Sequence, residues 1–224
     1  MPRLIVLEGL DGSGKATQAK LLTQALKERG LPVKQVSFPN YSSPFSIPAQ
    51  EYLAGKLGNR PEDVNPYAAS LLYGIDRFAS FQQEWKEFYQ QGGIIVADRY
   101  TTSNAVHQCS KLNPQQWQEF TQWLFDLEYQ KVGIPAPDLV FYLSVDLAVS
   151  QTLLNQRSQQ NATSKDIHEN NLQHLFASKQ AAEWCAKTFG WHTIQCSSTT
   201  AMRPIQEISD AVLQQVLLLL KKEE

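Results

Sequence analysis

Short runs of apolar, β-prone residues alternate along this chain with longer segments whose apolar positions recur at helical spacing. Leu4-Ile5-Val6-Leu7 is apolar at every position, as a strand buried on both faces of a parallel sheet must be, and Glu8 ends the run. Lys15 to Arg29 follows with Ala19, Leu21, Leu22, Ala25 and Leu26 on one stripe, and Gly30 supplies a helix stop. Val33 to Phe38 predicts a second strand, Ile94 to Asp98 a third, Leu139 to Leu143 a fourth and Thr193-Ile194 a weak fifth. Asn65-Pro66 places a cap residue before a proline at the first helical position and opens a helix to about Gln90. Asn113-Pro114 repeats that signal ahead of Trp117, Phe120, Trp123 and Leu124. Leu147 to Arg157, Leu172 to Phe189 and Pro204 to Lys221 carry further helical periods. Alternation of this kind predicts an α/β fold of three layers, a central parallel sheet of about five strands flanked by helices. No repeat, low-complexity tract or linker interrupts it, so residues 1–224 read as a single domain.

Composition narrows the function classes. With 42% hydrophobic residues and a net charge of -2 over 224 residues, the chain is too apolar and too weakly charged for a disordered segment. It also lacks the clustered basic surface of a nucleic-acid binder, its only Lys/Arg run being Lys221-Lys222. The first apolar run stops after four residues, too short for a signal peptide, and the late run Val216 to Leu220 falls far below the ~20 residues of a membrane span. Cys109, Cys185 and Cys196 are widely spaced and odd in number, which fits a reducing compartment better than a disulfide framework or a zinc site. A soluble cytoplasmic protein without nucleic-acid or membrane partners is expected.

The chemistry is concentrated directly after the first strand. Gly9-Leu10-Asp11-Gly12-Ser13-Gly14-Lys15-Ala16-Thr17 meets the phosphate-binding pattern Gly-x-x-x-x-Gly-Lys-Ser/Thr at Gly9, Gly14 and Lys15. Glycines let the backbone curl with its N–H groups inward, the following helix N-terminus adds partial positive charge, and a lysine at this position reaches the terminal phosphates. Ala16 stands where a Ser or Thr hydroxyl normally binds Mg²⁺, and Thr17 is turned about 100° away on a helix. Mg²⁺ is then expected on nucleotide phosphates, waters and a nearby carboxylate, with Asp98 at a strand's carboxyl end the candidate.

Four blocks in order carry a family resemblance: Leu7 to Lys15, Ser37-Phe38-Pro39, Tyr73-Gly74-Ile75-Asp76-Arg77 and Asp98-Arg99-Tyr100, with Pro137-Asp138-Leu139 before the fourth strand. Together they resemble thymidylate kinase, across nearly the whole chain. The resemblance implies the P-loop kinase fold, ATP and dTMP as substrates, dTDP as product, Mg²⁺ as cofactor and a homodimer joined through long helices, for which Tyr67 to Tyr89 offers an aromatic-rich face.

It also implies roles for particular residues. Arg99 becomes a ligand of the acceptor phosphate, and Tyr73 with Arg77, sharing a helical face, holds the thymine or the phosphate. Phe38 and Tyr100 pack near the acceptor, Asp11 contacts its 3′-hydroxyl, and Asn104 reads the base edge beside Ser103, His107 and Gln108. His107 departs from the Tyr often found there, near the sugar, and Tyr41 replaces an Arg that some members carry after the Phe-Pro pair. Residues 156–169 occupy the family's lid. Gly12 and Ser13 leave no catalytic arginine in the loop, so Arg157, with Lys165 as second choice, is the candidate for charge on the transferred phosphoryl group.

Three rivals remain open at this level. Another monophosphate kinase or a deoxynucleoside kinase shares the donor site. A GTP-binding switch would want Asn-Lys-x-Asp after a late strand, which is absent. A P-loop protein that binds ATP without turning it over stays in view because of Ala16.

Overall fold

A computed structural model describes the backbone of residues 3–161, 167 and 171–221, and the side chains of all of these except 155–161. Five strands, β1 (Arg3–Glu8), β2 (Val33–Ser37), β3 (Ile94–Asp98), β4 (Leu139–Ser144) and β5 (His192–Gln195), form one sheet in the order β2-β3-β1-β4-β5. Every pairing is parallel, and Leu7 and Ser37 both stand opposite Asp98. That register brings the carboxyl ends of β1, β2 and β3 level, on the rim where open α/β sheets place their ligands.

β1 is apolar throughout because it feeds two cores. Leu4 and Val6 point into a core with Trp85, Trp117 and Phe120, whereas Ile5 and Leu7 point into one with Leu22, Leu26 and Val212. The second core is capped by α1 (Lys15–Lys27) and the terminal helix α9 (Ile205–Lys221). Between β2 and β3 run α2 (Ile47–Leu53), α3 (Pro66–Ser80) and α4 (Lys86–Gln90). Between β3 and β4 come α5 (Thr101–Cys109) and α6 (Trp117–Phe125), and α7 (Leu147–Asn161) and α8 (Leu172–Phe189) precede β5.

The expected cap at Asn65 is made: its side chain accepts from Ala68 N at 2.8 Å. The helix it opens is not regular to Gln90, because a π-type turn at Phe81–Trp85 interrupts it. That wider turn seats Phe81 and Trp85 together in the core, ring centroids 4.7 Å apart. The segment after Asn113-Pro114 likewise starts as a short 3₁₀ turn and ends in a π-type turn over Asp126–Lys131. The backbone of α7 continues to Asn161, so the stretch assigned to a lid begins as helix, and Ile167 N donates to Leu53 O at 3.3 Å. Among the described residues, no helix is long and apolar enough to cross a membrane.

Candidate active site

Residues 9–14 connect β1 to α1, and glycine is required at two points. A Cβ on Gly9 would lie 2.7 Å from Ser13 Oγ and 2.8 Å from Leu143 O. Gly12 has φ +79°, and its Cβ would come within 2.9 Å of Ser150 O. Across the loop, Ser150 Oγ donates to Asp11 O at 2.5 Å, fastening it to α7. Gly14, itself left-handed, delivers the chain into α1 with Lys15 on its first turn. The ammonium of Lys15 donates to Leu10 O at 2.8 Å and lies 3.4 Å from Ser13 Oγ. Burial, reinforced by the nearby Arg99 charge, lowers its pKa to about 8 against the pull of Asp11, Asp98 and Glu8.

Level with this loop, β3 ends in Asp98, and Arg99 follows with φ 66°, a left-handed conformation that a side-chain-bearing residue adopts at a cost. Its guanidinium turns to the phosphate loop. Nη2 donates to Asp11 in a very short contact, Nη1 donates to Ser103 Oγ at 3.3 Å, and Glu8 Oε1 lies 3.7 Å from Nη1. Glu8 is fully buried and accepts from Gly9 N at 2.9 Å, Thr102 Oγ1 at 2.9 Å and Ser103 Oγ at 2.7 Å. One carboxylate thus ties the loop, the start of α5 and Arg99 together. His107 Nε2 is 3.3 Å from Arg99 Nη1. An arginine has only donors, so this nitrogen accepts and the ring is neutral, in keeping with a pKa held well below the usual value by burial and by Arg99.

The other end of the cavity is built from helices. Arg77 on α3 is 2% exposed, and its Nε and Nη2 both donate to Glu128, at 2.7 Å from Nε. Thr101 Oγ1 donates to the same carboxylate at 2.6 Å. Arg77 therefore enters the wall as a neutralised pair, and only the part of its guanidinium not held by Glu128 remains for a ligand. Tyr73 stands one turn earlier on α3, and Asn104 Nδ2 donates to Ser70 O at 3.2 Å. Gln108 is wholly buried with neither amide atom hydrogen-bonded, the mark of a group awaiting a partner. Phe38 packs on Tyr100 at 5.9 Å, and Tyr100 Oη donates to Pro135 O at 3.0 Å.

One cavity of about 690 Å³ joins the two ends, and Asp11 to Thr17, Phe38, Tyr73, Arg77, Asp98, Arg99, Tyr100, Asn104, His107 and Gln108 all line it. Gly9 and Leu10 lie behind the loop surface, buried. Tyr41 stands at the rim, 67% exposed. The side chain of Arg157 and the whole of Lys165 lie outside the described residues. For a metal, Asp98 is apt: its Oδ1 is buried without a hydrogen-bond partner, and the residue lines the cavity near Lys15. Ala16 contributes no oxygen, and among the described residues no three His, Cys, Asp or Glu side chains gather into a metal site, so phosphates and water would complete the shell.

Sequence reading missed several contributors. Glu128 had a signal: with Trp117, Thr121 and Leu124 it falls on the buried stripe of one helix, where a charge demands a buried partner. Ser150, and the wall beyond the loop formed by Leu153, Leu154, Met202, Arg203 and Ile205, had none, since they reach the site only through the fold. Apart from Arg203, that wall is apolar.

Known proteins resemble this chain in sequence and in fold. Residues 7–201 match the thymidylate kinase family model. The chain is 31% identical over 157 residues to the thymidylate kinase of Mycobacterium tuberculosis, covering 70% of each. It is 34% identical over 148 residues to the human thymidylate kinase, 65% of this chain and 62% of that one. Among solved structures, a thymidylate kinase from Candida albicans superposes with a TM-score of 0.68 at 25% identity, covering 100% of this chain and 94% of the other.

Proposed function

This chain belongs to the thymidylate kinase family, whose members phosphorylate dTMP to dTDP with ATP, and from that premise we propose how its residues divide the work. It is a nucleoside monophosphate kinase, a transferase. Lys15 and the loop N–H groups of residues 9–17 hold the donor phosphates, with the donor base against Leu153, Met202 and Ile205. Arg99 swings from Asp11 to the acceptor phosphate. Tyr73 stacks on the thymine, while Arg77, Asn104 and Gln108 meet its polar edge, with Phe38 and Tyr100 behind them and His107 beside Arg99. Asp98 would hold Mg²⁺, which would neutralise charge on the phosphates when bound. Arg157 closes from the lid, whose span we place at 156–169. The acceptor oxygen is already anionic, so no general base is needed, and catalysis is positioning plus charge neutralisation.

The convergence of Lys15, Asp98 and Arg99 on one cavity whose far wall is Tyr73 and Arg77 carries this reading. An ADP-release assay across nucleoside monophosphates tests it: turnover with dTMP is expected, and turnover with dCMP or a free nucleoside but not dTMP overturns it. Arg157→Ala tests the lid assignment and is expected to lower kcat far more than either KM.

We also propose that the single domain acts as a homodimer in the cytoplasm, supplying dTDP for dTTP synthesis. Of the aromatic-rich stretch after Asn65, Phe81 and Trp85 are core, but Tyr67, Leu71, Ile75 and Phe78 form an exposed stripe along α3, 41–50% accessible, suited to a second copy. All three cysteines are free and buried, in keeping with a reducing compartment. Sedimentation should give a dimer for the native chain and a monomer for Leu71→Glu.

A further inference from the structure

Behind Tyr73, on the side away from the cavity, three segments of chain meet around one ammonium group. Lys111, just past the end of α5, donates from Nζ to Tyr52 Oη at 2.7 Å and to Val64 O at 3.1 Å. Tyr52, on α2, is fully buried, and its own hydroxyl donates to Pro61 O at 3.3 Å. Its ring meets that of Tyr73 edge-on, centroids 6.1 Å apart at 86°. Tyr73 is the only member of this group in the cavity wall.

A lysine is an expensive choice here. Burial lowers its pKa to about 7, and the Glu62 charge opposes that shift. A neutral donor would satisfy Tyr52 and Val64 without that penalty. What the amine adds is fan-like geometry: one hydrogen goes to the Tyr52 hydroxyl while a second holds the turn that opens α3. Both ends of the platform are thus set from one point, the ring through Tyr52 and the backbone through Val64.

We propose that Lys111 is a positioning residue for the acceptor base, acting through Tyr52 on the orientation of Tyr73. It deepens the reading of Tyr73 as the base platform and rests on it. A fixed platform lowers the entropy lost when the base stacks, so its removal weakens acceptor binding and leaves the donor site and the chemical step alone.

Lys111→Met is expected to raise KM for dTMP about tenfold, the upper scale of a lost buried hydrogen bond. The values of kcat and of KM for ATP should stay within about twofold. Tyr52→Phe, which removes the shared hydroxyl, should raise the same KM, and the double variant should be no worse than the poorer single one. Lys111→Gln, which keeps donor hydrogens without charge, should fall between and serves if Lys111→Met does not fold. A fall in kcat with both KM values raised together, or additive effects in the cycle, marks a merely structural clip and overturns the proposal. Tyr73→Leu separates the two layers. A raised KM for dTMP in Tyr73→Leu with none in Lys111→Met overturns only the relay. No change in Tyr73→Leu overturns the platform as well.

Discussion

The two ends of the cavity are held together by different means. At the phosphate end the shape is backbone shape: positive φ at Gly12 and Gly14, a loop closed by Ser150 on Asp11 O, and strand ends brought level by the sheet register. One charged side chain, Glu8, belongs to that frame, tying the loop to the start of α5, whereas Lys15 and Arg99 sit on it. At the base end the shape is made by side-chain contacts between segments distant in sequence, Arg77 with Glu128, Asn104 with the Ser70 carbonyl and Lys111 with Tyr52. There the polar side chains are the frame. Substitutions should therefore separate cleanly, costing rate at the first end and stability or acceptor affinity at the second.

The largest effect belongs to the base end. Glu128→Ala leaves the Arg77 guanidinium and Thr101 hydroxyl buried without their acceptor, a loss of about 3–5 kcal/mol of folding stability. In a chain of this size, that lowers the thermal midpoint by roughly 10 °C. Calorimetry checks it, and a midpoint within about 2 °C of the native one would break the comparison.

At the phosphate end the matching experiment is Lys15→Met. It should reduce kcat roughly 10²–10³-fold, as losing a donor to a transferring phosphoryl group does. Folding should be unharmed, since burying the Lys15 ammonium is itself unfavourable. A strong loss of stability with little loss of rate would mean that the two ends are built alike. Smaller still is Gly12→Ala. Left-handed backbone costs a substituted residue about 1–2 kcal/mol, and the added Cβ meets Ser150 O. KM for ATP should rise about tenfold, with KM for dTMP unchanged. A rise confined to dTMP would contradict the assignment of the loop.

The same contrast governs how far the sequence could be read. The phosphate loop is contiguous, and its chemistry lies in residue type and spacing, so Gly9 to Thr17 matches a phosphate-binding pattern before any fold is known. The central strands β1, β3 and β4 were legible too, because burial on both faces writes an unbroken apolar run, whereas the edge strands β2 and β5 are partly exposed and leave a weaker trace. The base end is written in pairs 34 to 59 residues apart, and no local pattern says that Arg77 meets Glu128 or that Lys111 meets Tyr52. Glu128 on a buried stripe advertises that it needs a partner but not which. The left-handed backbone at Arg99 had no signal at all, since nothing but glycine or asparagine announces it in advance. The π-type turn at Phe81–Trp85 likewise answers to core packing and not to the local helical period.

The subtlest prediction concerns the Lys15 ammonium, a cation buried at the phosphate end. In the ligand-free protein Lys15 has a pKa of about 8, so near that pH it is about half neutral. Burial and Arg99 are what depress it. A bound triphosphate sets several negative charges against the same ammonium and restores the protonated form. ATP binding at pH 8 should therefore take up about half a proton per site at Lys15. The uptake should shrink as the pH falls toward 6, where Lys15 is already charged before ATP arrives. Calorimetric titrations in buffers of different ionisation enthalpy read this directly, and the nucleotide's own proton release is corrected by repeating them with Lys15→Met at ATP concentrations that saturate it. If native and variant proteins show the same proton exchange at pH 8, Lys15 is fully charged before the donor binds. The phosphate end would then be preloaded, as the Arg77–Glu128 pair already is, and the difference between the two ends would lie in their backbone alone.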